Sequence, residues 1–192
     1  MRRQGPSQPL LDRQSSLVAD ARPTGTGTTA APGEAAISDL EDFLAHTLQR
    51  HAQATTGVRN GDATALIEML STRDPVTLFP AAQPPKRGWA QVRQAFQRVA
   101  SLYSNATPVS FEVVAAGVSG DLAYVVGYER GAASVGSGPV EPVDLRVTQL
   151  YRREDGEWKL VHRHGDPGQG PSPAVDHLRA EMRNRPGDDV PT

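Results

Sequence analysis

The residues with most chemical potential lie in one short run, WKLVHRHGD, from Trp158 to Asp166. It places His162 and His164 two residues apart, and in a β-strand such positions point to the same face. Histidine titrates near neutrality, so an imidazole here could move a proton. Strand alternation adds Glu129, from DLAYVVGYERG, and Arg146, from VDLRVTQLYRRE. A carboxylate, a guanidinium and two imidazoles meeting in one cavity would suit proton abstraction by His164 or Glu129. Arg146 and His162 would then stabilise the developing oxyanion. Plainer roles fit the same residues. The histidines could be satisfied by backbone carbonyls, Arg146 and Glu129 could form a structural ion pair, and Asp166 could cap a strand end.

The facing of these side chains rests on alternation. Trp158 and Leu160 belong on the helix-covered side, and His162 and His164 are expected to follow them inward. Lys159, Val161, Arg163 and Gly165 then face outward. Arg146, Thr148 and Leu150 are assigned to the cavity, as are Ala123, Val125, Gly127 and Glu129. Phe43, Trp89 and Phe96 are expected to supply apolar walls, and Tyr128 and Asp166 complete the expected ligand contacts. The proline-rich stretch from Pro80 to Gly88 could cover the entrance. Two histidines and a carboxylate could hold a metal ion, but no third ligand is visible, so no metal is expected. No Gly-x-Gly-x-x-Gly or phosphate-loop motif is present, and no cofactor is expected. A nucleophile elbow and paired glycosidase-type carboxylates are also missing.

The elements that must position these groups show clear periods. Leu40, Phe43, Leu44, Thr47, Leu48 and His51 recur at helical spacing behind a capping box at Ser38 and Glu41. Asp62 caps a second, shorter helix that ends before Asp74-Pro75, and PVTLF reads as a strand. A third helix runs from about Trp89 to Tyr103. From Val109 the period changes to two, giving four strand candidates, with Gly120-Asp121 and Asp155-Gly156 as turns. Gly131 to Pro142 reads as a longer connection. Helices in front and a strand meander behind them predict an α+β fold: a cone-shaped barrel of strongly curved antiparallel sheet packed on three N-terminal helices.

Composition sets the remaining bounds. The 192 residues suit one hydrophobic core. Residues 1–36 and 167–192 are rich in Pro, Gly, Ser and Thr and read as mostly disordered tails, although Ala174 to Arg185 could form one short, loosely attached helix. With a net charge of −2 there is no overall basic field, so no nucleic-acid partner is expected. No stretch approaches the ~20 apolar residues of a membrane helix, and no signal-type segment opens the chain, so a cytoplasmic location is expected. The absence of cysteine excludes disulfides and thiolate chemistry.

GDLAYVVGYER followed by LRVTQLYRREDGEWKLVHRHGD resembles the nuclear-transport-factor-2-like superfamily, in its SnoaL-like or DUF4440-type branch, over Ile37 to Asp166. The resemblance implies a curled sheet around helices with a pocket, a small organic ligand, and a homodimer formed through the sheet. It also implies an activity of the isomerase, cyclase or dehydratase kind, by general acid/base proton transfer. The closing pattern of Arg152, Arg153, Asp155, Gly156, Trp158, Val161, His162 and His164 is also similar to a calcium/calmodulin-dependent kinase association domain, an oligomerising module without chemistry. An isomerase-style aspartate base is not found near the first helix; His46, His51 and Glu68 are the nearest titratable substitutes.

Overall fold

The computed structural model describes residues 32–168, 170 and 172–184, so most of the expected N-terminal tail and the last eight positions of the chain lie outside it. Helix α1 (Pro32–Asp42), a π-helical stretch (Phe43–Leu48) and α2 (Gln49–Val58) run end to end. The expected capping box at Ser38 is overtaken because the helix already starts at Pro32, where proline's fixed φ and missing N–H cost nothing. Phe43 and Leu48 are both buried, which the i→i+5 repeat of a π turn permits. At helix α3 (Thr64–Met69) the N-cap position falls on Ala63, one residue after the expected Asp62, and Asp62 Oδ1 accepts the Thr64 N–H at 2.8 Å.

Next come β1 (Thr77–Phe79), β2 (Lys86–Arg87), α4 (Trp89–Ala100), β3 (Tyr103–Ser104), β4 (Ser110–Ser119) and β5 (Leu122–Arg130). They are followed by β6 (Ala132–Val135), β7 (Val140–Pro142), β8 (Leu145–Glu154), β9 (Glu157–Pro167) and α5 (Pro173–Asn184). The main sheet has the order β2-β1-β9-β8-β5-β4, and β3-β6-β7 forms a second small sheet. Helices pack on the curled sheet, as the α+β expectation requires. The expected loose connection from Gly131 to Pro142 instead holds β6 and β7, paired through Ala132–Pro142 and Ser134–Val140. Asp155 and Gly156 adopt φ of 51° and 86°, the two left-handed positions of the tight turn that joins β8 to β9.

A bulge in β9 decides which side chains reach the interior. Leu150 pairs with His162 and Tyr151 with Leu160, leaving Val161 as an extra residue. Trp158 and Leu160 face the core as expected, but beyond Val161 the alternation is inverted. Arg163 and Gly165 point inward, and His162 and His164 point outward. In β8 the inner residues are Val147, Gln149 and Tyr151, so Arg146, Thr148 and Leu150 also lie on the outer face. Both facings differ from the sequence expectation. Deleting Val161 is therefore expected to keep Arg163 inward, because removal of the extra residue restores plain alternation. A structure of the deletion variant with Arg163 in solvent would overturn this account.

The helix expected between Ala174 and Arg185 is α5, and its apolar face is buried rather than loosely held. Ala174, Val175, Leu178 and Met182 are at most 9% exposed, and Ala174, Leu178 and Met182 pack with Leu102, Tyr103, Ala133 and Val135. Polar ties reinforce the contact: Arg179 Nε donates to the Ala81 carbonyl at 2.9 Å, and Arg98 Nη2 donates to the Met182 carbonyl at 3.1 Å.

Candidate functional site

Glu129 is the centre of a polar cluster buried between the sheet and α2. It is fully buried, and Arg163 Nη2 donates to its Oε2 at 2.7 Å. Gln149 Nε2 donates to Oε1 at 2.9 Å. These groups meet because Gln149 and Arg163 pair across β8 and β9, while Glu129 stands on the inner face of β5. Gly165 leaves room for the guanidinium, since a Cβ there would fall 2.8 Å from Arg163 Nη1. Burial by itself would raise the Glu129 carboxyl, yet the adjacent Arg163 overrides that effect and holds it well below the ordinary carboxylate range.

Hydrogen-bond logic extends inward to His51. Tyr151 donates its hydroxyl to Gln149 Oε1 at 2.7 Å, which fixes the orientation of the amide. Gln149 Nε2 therefore donates to His51 Nε2 at 2.8 Å. With the amide so oriented, His51 Nε2 is the accepting ring nitrogen. Its Nδ1 is buried without a partner.

Beside this cluster lies a cavity of about 70 Å³. Arg59, Tyr103, Glu129, Arg163 and Thr55 make its polar end, and Leu66, Leu78, Ala95, Phe96 and Val99 make apolar walls. Pro80, Ala81 and Ala82, from the stretch expected at the entrance, are among its lining, together with Val175 and Leu178 of α5. Burial pushes the Tyr103 phenol above its ordinary value, so it remains a hydrogen-bond donor at neutral pH.

The expected constellation is divided between the two faces of the sheet. Glu129 and Phe96 reach the cavity. Phe43 does not: it is 0% exposed and packs edge-on against Tyr151 and Trp158 at 5.1 and 5.7 Å between centroids. Trp89 is half-buried against the core and carries Arg93 over its ring. Tyr128, Arg146, His164 and Asp166 do converge, but in an open groove of about 290 Å³ on the outer face. There His164 Nε2 lies 3.2 Å and Arg146 Nη2 3.9 Å from Asp166 Oδ2. His162 also faces outward, with Nδ1 2.7 Å from Thr77 Oγ1; burial and then His164 push its imidazole below the ordinary value. Of the other titratable candidates, His46 and Glu68 are exposed.

Arg59, Arg163, Gln149, Tyr103 and Thr55 were not foreseen. One signal pointed to Arg163: a buried Glu129 requires a cation on the neighbouring inner face, and a bulge in β9 supplies it. Arg59 gave no comparable signal, because it follows the last turn of α2 among polar residues. Among the described residues no group of side chains has metal-binding geometry, and no helix is long and apolar enough to cross a membrane.

Comparison with known proteins agrees with this architecture. The model of the SnoaL-like domain matches residues 44–166. No curated protein matches the chain. A candidate dehydratase of the nuclear-transport-factor-2-like family from Streptomyces avermitilis is 20% identical, with a TM-score of 0.57 over 70% of this chain and 99% of that one. A related protein with a cystatin-like fold from Novosphingobium aromaticivorans is 18% identical, with a TM-score of 0.57 over 79% and 99% of the two chains. A candidate calcium/calmodulin-dependent protein kinase II association domain from Xanthomonas campestris is 15% identical, with a TM-score of 0.50 over 76% and 97%. At these identities the likeness is one of fold. The family match places this chain in the SnoaL-like family, and its curled sheet with helices packed on it has the fold of the nuclear-transport-factor-2-like structures.

Proposed function

We propose that the chain binds a small, apolar, oxygenated organic molecule in the cavity between α2, α4, α5 and the inner face of the sheet. The observation that carries this reading is a mainly apolar hollow in which the charged groups Arg59, Glu129 and Arg163 lie together, the usual form of a small-molecule site. Binding is favoured over isomerase-, cyclase- or dehydratase-type proton transfer. Glu129 is held ionised by Arg163 and is a poor base, and Tyr103 is a donor that resists deprotonation. His51 contacts Glu129 but does not line the cavity. An acid–base enzyme of this class would use Tyr103 and the arginines to polarise a carbonyl oxygen. It would need its base from the substrate or from a rearranged Glu129.

Mass spectrometry of small molecules released from the purified protein tests the reading. A copurifying organic compound that is lost when Phe96 is replaced by Trp, which fills the cavity, is the expected result. Retention of the compound in that variant would place binding elsewhere and overturn the proposal.

The outer face supports a second element of the reading, a homodimer through the sheet. Val114, Leu122 and Tyr124 are exposed there at 56%, 51% and 43%. Isolated exposed apolar residues mean little, but several on one sheet face suit a partner. Sedimentation of the full chain is expected to give a dimer, and Val114→Asp a monomer. A wild-type monomer at tens of micromolar would refute this.

A further inference from the structure

We infer that the molecule held in the cavity is a monoanionic carboxylate, bound through Arg59 at the polar end. The inference rests on the cavity being a binding site and specifies the chemistry of its occupant.

Charge is the first argument. The buried cluster contains one carboxylate, Glu129, and two guanidiniums, Arg59 and Arg163, each less than a tenth exposed. Gln149 carries no charge and burial keeps Tyr103 and Tyr151 protonated, so the guanidiniums outnumber the carboxylate by one. Arg163 takes the carboxylate at 2.7 Å, whereas Arg59 Nη2 stands off at 3.8 Å, beyond hydrogen-bond range. Asp144 acts on Arg59 from a distance, but its carboxylate is 41% exposed and is held by Arg130 at 3.5 Å. A buried cation without its own counter-ion is costly unless a ligand completes it.

Unmet hydrogen bonds are the second argument. Arg59 Nη1 and Nη2 and Thr55 Oγ1 are buried without partners, and both residues line the cavity. Gly131 makes space for this arrangement, because a Cβ there would fall 3.1 Å from Arg59 Nη1. Two parallel N–H donors fit the two oxygens of a planar carboxylate, with the Thr55 hydroxyl and Tyr103 phenol within the same lining. A dianionic phosphate would overcompensate the single excess charge and would meet Glu129 across the cavity. A neutral amide would leave the cation uncompensated.

Size is the third. A cavity of about 150 Å³ accommodates benzene, so one of about 70 Å³ holds a ligand of roughly half that bulk. That suits a carboxylate with a one-carbon apolar end, as in acetate. A longer tail would run toward Ala81, Ala82 and Leu178 and would require α5 to move.

The test uses the full chain and compares acetate, acetamide and ethanol at constant ionic strength, by calorimetry and thermal melting. Acetate is expected to bind about ten-fold or more tightly than acetamide, the scale of a charge-assisted hydrogen bond. Arg59→Met is expected to abolish that preference and to melt no lower than wild type in the absence of ligand, because it removes an uncompensated buried charge. Equal binding of acid and amide would overturn the carboxylate inference and leave the pocket reading intact. Failure of all three compounds to bind would overturn both. Should Arg59→Met not fold, Arg59 would be a structural counter-ion, and Thr55→Val would carry the test. Loss of acetate affinity by several-fold in that variant supports the inference, and unchanged affinity overturns it.

Discussion

Glu129→Gln is expected to destabilise the fold by about 3–5 kcal/mol, measured by urea unfolding, because it leaves buried guanidiniums without their carboxylate. The glutamine keeps the shape of the side chain, so the loss reports charge rather than packing. Arg163 and Arg59 are 8% and 3% exposed, and water cannot replace the missing counter-ion for either. Adding Arg163→Met to the same chain returns the buried charge to its wild-type value. The double variant should therefore be more stable than the single one. A double variant as unstable as the single would sink the charge account and point to lost packing at Gln149 and Tyr151 instead.

The same pairing predicts an acid limb to stability. Arg163 lowers the folded-state pKa of Glu129 from an ordinary value of 4.5, so on acidification the unfolded chain takes up the proton first. The contribution of Glu129 is fully present above about pH 4.5 and is lost as pH falls below that toward its folded value. Wild-type stability should decline over that range, and Glu129→Gln should decline less steeply. Parallel pH profiles for the two proteins would contradict the pairing.

Phe43→Ala is the second large effect, at about 3–5 kcal/mol of stability lost. The phenyl ring is wholly buried and meets Tyr151 and Trp158 edge-on, a geometry that adds to the value of its buried area. The residue lies in the core and not in the cavity wall, so the folded fraction of the variant should bind cavity ligands with unchanged affinity. Phe96→Ala, by contrast, should alter both properties, because Phe96 is part of the wall. Weakened binding in the Phe43 variant with no loss of stability would reverse these assignments.

The change from helical to strand periodicity near Val109, the Asp155-Gly156 turn and the closing strand were legible as local patterns, and they suffice for the α+β curled sheet. The family resemblance, carried by GDLAYVVGYER and the last two strands, also stands. Glu129 was correctly placed inside because Ala123, Val125 and Glu129 keep an uninterrupted alternation. His162, His164 and Arg146 were expected beside it and lie on the opposite face. In β9 the cause is the single unpaired Val161, which changes the facing of every later residue while leaving the sequence pattern looking regular. In β8 both faces carry apolar residues, so alternation could not choose between Arg146 and Gln149.

Arg59 was beyond any periodic argument. It comes to the cavity because α2 ends over the inner face of β5, a distance relation between segments far apart in the chain. The burial of α5 was equally a tertiary matter: its apolar side chains form a weak helix pattern, and only the cleft beside β6 decides that they are covered. Local spacing thus determined the elements and the family. The interior charge balance was decided only when the strands took their register, because one residue of slip exchanges a solvated imidazole for a buried guanidinium.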